Sequence, residues 1–287
     1  MRKLFVVLII LISSGFYTSK NYAQCSDAGI CQLGAHLTEG EKELFNISGA
    51  YKYGYSGKED DIKFHSFVLD GSYNLLAKSS VQFLISYNIQ SGPAESINGI
   101  GDLIISWNQQ LFSDENSSFS ASLGAKLATG DDTKDNLPQK YQSGLGTNDV
   151  LFGLSYTYDK ISVGAGYQLA GGRNDNIQRL ERGDDLLLRA SYQLSFDQFS
   201  IIPQLLFIQR LAKSTILDTT STDEESFVEV DKSDQAQLNF LVKLEYEISK
   251  NISLVGDFAI PFIKREVNVD GLTRAYSASI GVTFSIY

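Results

Sequence analysis

The sequence predicts an all-β chain, folded as a single up-and-down antiparallel transmembrane β-barrel of about 12 strands. Three observations predict it. From Leu44 onward, apolar residues recur at every second position in runs of ten to fifteen residues, and a period of two lines one face of a strand. The breaks between runs alternate short and long, as in a meander whose tight turns all lie at one end. The runs are also long. Strands of soluble sheets commonly hold about five or six residues, whereas a strand crossing a membrane needs about 9–11.

The first element is a secretory leader. Arg2 and Lys3 precede nine apolar residues, Leu4 to Ile12, and then a small, polar stretch. That order reads as a signal peptide over residues 1–23 with cleavage after Ala23. Its apolar core rises only about 14 Å as a helix, too short to cross a bilayer. Losing Arg2, Lys3 and Lys20 leaves 21 Lys and Arg against 34 Asp and Glu, a net charge of −13. Residues 24–43 follow as a periplasmic or plug-like segment, in which Thr38 and Glu41 have capping-box spacing. The only two cysteines, Cys25 and Cys31, lie six positions apart in this segment. In an oxidising compartment such a pair most simply forms a disulfide.

The barrel occupies 44–287. Its twelve runs fall at about 44–55, 64–75, 80–91, 100–112, 118–129, 148–158, 161–171, 184–195, 199–211, 234–248, 251–264 and 273–287. One carries Val81, Phe83, Ile85, Tyr87 and Ile89 on one face, with Gln82, Ser86, Asn88 and Gln90 on the other. The last carries Tyr276, Ala278, Ile280, Val282, Phe284 and Ile286 against Ser277, Ser279, Gly281, Thr283 and Ser285. An apolar outer face with a small, polar inner face inverts a soluble barrel. Closing the ring also pairs every backbone group, as hydrocarbon demands. Tyr53, Tyr55, Tyr73, Tyr156 and Tyr158 lie near strand ends, where amphipathic rings favour the membrane interface. The final Tyr287 resembles the terminal signal read by the barrel-assembly machinery.

Composition removes other classes. Apolar residues make up 43%, charged residues 20% and mean hydropathy is −0.10, which excludes a disordered chain. A net charge of −10 over the whole sequence argues against nucleic acid as a partner, since that needs a basic face. The acids crowd the long connections, at Glu59, Asp60 and Asp61, at Asp131, Asp132 and Asp135, and from Asp218 to Asp231. Solvated loops explain them, with cation bridges to lipopolysaccharide as the functional alternative; outer-membrane lipid is the expected surrounding partner. No metal or cofactor site is expected.

Assigning the polar phase inward makes Lys52, Asp70, Asp102, Lys126, Asp149, Arg189, Lys243, Glu245 and Asp257 the candidates that line the lumen. Both signs are present, which suggests paired charges rather than a single-sign filter. Eight strands leave room for side chains or one small ligand and 16–18 leave an aqueous channel, so twelve predict a narrow or gated path.

Strand four opens on Gly99-Ile100-Gly101-Asp102-Leu103, strand five ends Ala128-Thr129-Gly130-Asp131, and Gly144-Leu145-Gly146-Thr147-Asn148-Asp149 leads into strand six. This order, over about residues 99–170, resembles the outer-membrane family named for the meta-pathway of phenol degradation, whose members are described as transporters. Ala128 stands where that family usually has proline. The resemblance implies a transporter or channel for a small, apolar or aromatic molecule, with Gly99, Gly101, Asp102, Thr129, Gly130, Asp131, Gly146 and Asp149 as its motif positions. The alternatives are a structural barrel with a filled lumen and, more distantly, a barrel lipid hydrolase. An enzyme is not expected: His65 is one of only two histidines, and its neighbour Ser66 points to the opposite face of the strand.

Overall fold

A computed structural model describes residues 44–222 and 225–287. The leader, the Cys25–Cys31 pair and the capping-box residues lie outside them.

Twelve staves close into one barrel. They are β1 (Phe45–Tyr55), β2 (Lys63–Leu76), β3 (Ser79–Ser91), β4 (Ser96–Ile100) with β5 (Leu103–Ser113), β6 (Ser117–Leu127), β7 (Asp149–Tyr158), β8 (Ile161–Leu169), β9 (Asp185–Tyr192) with β10 (Leu194–Phe196), β11 (Phe199–Arg210), and then, past a loop that holds its own small hairpin β12 (Thr215–Leu217) and β13 (Phe227–Glu229), β14 (Ala236–Ser249), β15 (Ile252–Ile263) and β16 (Tyr276–Ile286). Successive staves pair antiparallel. The ring is sealed where β16 meets β1, from Phe45↔Ile286 to Tyr55↔Tyr276. No sheet edge is left along this wall, which satisfies the backbone without solvent.

The strand runs fall where the sequence places them, with one difference. The polar break expected at 92–99 is shorter, because Ser96–Ile100 pairs with the end of β3 and Ile97 is buried at 1% exposure. The stave breaks at Gly101-Asp102 instead, and there the Asp102 side chain turns inward.

The outer face is apolar. Leu123, Phe152, Leu188, Phe258 and Ile280 are 46–58% exposed, far more apolar surface than a soluble protein presents to water. Tyrosines ring both rims. Tyr53 and Tyr55 pack with Tyr276 near the long-loop end, while Tyr73, Tyr156 and Tyr158 stand at the short-turn end. His65 faces outward, its Nδ1 2.7 Å from the Tyr51 hydroxyl, while Ser66 is 6% exposed on the inner face. The two therefore form no pair. Tyr287 follows the end of β16, its ring 4.8 Å from the Lys250 ammonium.

Candidate functional site: a lumen closed at one mouth

The inner face is divided by direction. On the arc β14–β15–β16–β1–β2 it is polar and charged. Lys243 pairs in register with Asp257 and lies 3.6 Å from Glu245. Asp257 accepts a hydrogen bond from Ser279 at 2.9 Å, and Asp70 sits in the field of Lys243 and Asp257. Lys52 projects between Ser66 and Ser279. Five of the nine sequence candidates thus share one side of the lumen. Arg189, on β9, faces Leu206 across the ladder.

On the opposite arc, from β3 to β11, the inner face is apolar at mid-height. Leu84, Ile104, Leu151, Leu187, Leu206 and Ile208 form one buried cluster, with Val68 and Leu241 packed at its edges. The sequence reading assigned leucines and isoleucines outward and so missed this collar. Its signal is present: Leu186-Leu187-Leu188 and Leu205-Leu206-Phe207-Ile208 are unbroken apolar runs, which a strand shows when both faces are dry.

The remaining three candidates, Asp102, Lys126 and Asp149, converge just above the collar, toward the long-loop end. Asp102, Asp149 and Asp185 each stand two residues before a collar member (Ile104, Leu151 and Leu187), and Arg210 stands two residues after Ile208. A period of two therefore stacks each of these four charges on an apolar neighbour. The charges join into a chain of alternating sign. Lys126 Nζ lies 3.4 Å from Asp102 and 3.2 Å from Asp149, and Asp149 lies 2.6 Å from Arg182. Arg182 lies 4.0 Å from Asp185, which lies 2.9 Å from Arg210. Arg210 lies 2.8 Å from Asp270, and Asp270 lies 3.7 Å from Arg265. Four acids and four bases cancel. All eight side chains are at most 5% exposed. Burying an isolated charge is prohibitive, and alternation gives each one a partner of opposite sign.

Three of the eight, Arg182, Arg265 and Asp270, belong to loops rather than to the wall, and they draw those loops into the mouth. The 128–148 loop is tied in by its own contacts. Asp102 accepts from Gly130 N at 3.1 Å and from Leu145 N at 2.8 Å. Asn88 and Gln90, from the wall, donate to the carbonyls of Ser143 and Gln142 at 2.9 and 2.6 Å. Asn174, from the 170–184 loop, donates to Gln139 Oε1 at 2.6 Å. Thr129 bridges strand to loop, donating to Gly101 O at 3.0 Å and accepting from Leu103 N at 2.8 Å. Where the loop crosses itself, a Cβ on Gly130 would lie 2.6 Å from Gly144 Cα. Gly146 has φ +68°, and a side chain there would meet Asp132. The glycine and aspartate motif thus builds the inward fold of this loop. Gly99 packs beside Ser143, and Asp131 accepts from Gly144 N at 3.1 Å through its carbonyl.

Between the tucked loops lies a void of about 30 Å³, lined in part by Asn88, Gln90, Asp102 and Gln142, about enough for single waters. A larger cavity of about 510 Å³ lies beyond it, walled by five of the long loops. Ion pairs engage some of the loop acids: Lys140 to Asp60 at 2.7 Å and Lys264 to Glu59 at 3.7 Å join separate loops, while Lys213 to Asp231 at 2.8 Å lies within one.

No family model and no curated protein matches the chain. Among solved structures, it is similar to an outer-membrane channel from Pseudomonas putida F1, with a TM-score of 0.58 and 15% identity over 88% of this chain and 100% of that one. It is also similar to the CymD monoaromatic hydrocarbon channel, with a TM-score of 0.51 and 12% identity over 92% of this chain and 98% of that one. The likeness is one of fold: an outer-membrane-type β-barrel.

Proposed function

We propose that the chain is a gated channel of the bacterial outer membrane, passing a small and partly apolar molecule, and that the tucked 128–148 loop with the buried ionic chain is its closed gate. One observation carries the reading: the mouth is closed by loops, held by polar contacts that can be exchanged for water, rather than by side chains of the wall. The apolar collar beneath the ionic chain supports it, offering an apolar solute a lining on one side while the charged arc keeps the other side wet. Both similar barrels are channels, one of them for monoaromatic hydrocarbons, and this also favours the channel reading. The collar equally favours a second reading, a structural barrel whose lumen is packed at that height.

Single-channel recording in planar bilayers separates the two. The wild-type chain is expected to show rare or small openings, and Asp102→Ala, which frees Gly130 N and Leu145 N and removes one partner of Lys126, is expected to lengthen them. If neither protein shows unitary steps, the channel reading falls and the filled barrel stands.

A further inference from the structure

The cavity of about 510 Å³ at the long-loop end has an uneven chemistry. Pro138, Ile216, Val230, Val267 and Val269 give it apolar walls. Most of its charges are matched: Lys140 with Asp60 at 2.7 Å, Lys264 with Glu59 at 3.7 Å, and Glu266 with Lys232 at 2.5 Å. Arg265 is different. It is 4% exposed, and among the described residues its guanidinium makes one ionic contact, to Asp270 at 3.7 Å. That carboxylate is already held by Arg210 at 2.8 Å. Arg265 Nε has no hydrogen-bond partner, nor has the hydroxyl of Thr273, which is also 4% exposed and lines the same cavity.

Such groups are costly to bury unsatisfied, at about 1–3 kcal/mol each and more when charged, so their persistence points to a missing acceptor. Burial and the adjacent Arg210 both push the Arg265 pKa below its ordinary value, a cost that an anion beside it would relieve. The complement of one undercompensated guanidinium, one free hydroxyl and an aliphatic wall is a small molecule with one carboxylate and an apolar body. Arg takes a carboxylate in bidentate fashion, and the volume lies within the range of small-ligand sites.

We infer that this vestibule is a binding site for a small apolar monocarboxylate, held through Arg265 and Thr273. The inference deepens the channel reading by naming the class of solute received at the entrance. Its test does not depend on conduction. The full chain, purified in detergent, is titrated at low ionic strength with benzoate, benzyl alcohol, benzylamine and acetate, with binding read by calorimetry. Benzoate is expected to bind saturably, and the other three at least about tenfold more weakly, or ~1.4 kcal/mol. Arg265→Gln is expected to lose benzoate binding by about tenfold or more, and Thr273→Val by a smaller factor. Lys160→Gln, in a turn at the opposite end, is expected to leave it unchanged. If Arg265→Gln fails to fold, judged by the heat-modifiable gel shift, Thr273→Val decides. Absence of benzoate binding to the wild-type chain overturns the proposal, as does equal binding of benzylamine, or binding indifferent to the substitutions that fold. A chain that binds benzoate but never conducts would refute the channel and leave the site standing.

Discussion

Arg210 at the end of β11 and Asp270 in the 264–275 loop meet at 2.8 Å, each side chain 1% exposed. The contact fastens a loop to a wall strand that is not its neighbour in the barrel. Arg210 also holds Asp185 through two nitrogens, at 3.1 and 2.9 Å. Replacing it with Met leaves two carboxylates buried without their main cation. Loss of one partner from a buried pair costs about 3–5 kcal/mol, so Arg210→Met is expected to lower the unfolding midpoint markedly in denaturant titrations followed by the gel shift. Adding Asp270→Leu and Asp185→Leu to it is expected to recover part of the loss. No recovery would mean that the charges are not coupled through Arg210.

Gly146 is the tightest point of the 128–148 loop, with positive φ and Asp132 against it. Gly146→Ala is expected to loosen the 128–148 segment, raising both its cleavage by added protease and the open probability in bilayers. Gly256→Ala is the control, since a Cβ there meets Ser279 O at an ordinary 3.5 Å. Equal behaviour of the two variants would contradict the role given to Gly146.

Acid acts on two loop carboxylates in opposite ways. Burial raises the pKa of Asp132, so protonation favours its folded environment, and stability rises slightly as pH falls through that raised value. The flanking cations Arg210 and Arg265 hold Asp270 far below the ordinary carboxylate range, against the effect of burial. Its contribution is therefore complete at neutral pH and is lost only in stronger acid, as pH falls through the depressed value. Thermal unfolding scanned downward from pH 7 is expected to show a small gain before any loss, and Asp132→Asn is expected to abolish the gain. A loss beginning immediately below neutrality would count against both assignments.

Trp107 is the only tryptophan and is 47% exposed on the outer face. In vesicles, acyl chains brominated at mid-depth are expected to quench its emission strongly, and aqueous iodide only weakly. The reverse pattern would place the outer face of β5 in water.

The barrel was legible because its period of two runs through whole strands, as in Val81 to Ile89 and Tyr276 to Ile286, and the pattern needs no tertiary contact to read. The site was legible only in part. Asp102, Lys126 and Asp149 could be found from their inward phase, and Asp185 and Arg210 carry the same signal, being in phase with Arg189 and Gln204. Arg182, Arg265 and Asp270 lie in loops, and what brings them inward is the shape of the mouth, which no periodicity encodes. The collar escaped for the opposite reason: Leu187 and Leu206 sit between outward-facing apolar residues, so both faces of their strands read alike.

The seam between β1 and β16 joins Phe45 to Ile286 and Tyr55 to Tyr276, residues separated by more than two hundred positions. Every other stave can find its partner as a local hairpin, but this pair can form only when the rest of the cylinder is already in place. Assembly is therefore expected to wait on its last step, with both rims of an open sheet exposed until then. Cutting away β16 would leave an unclosed ribbon, prone to pair with another copy of itself, rather than a smaller barrel.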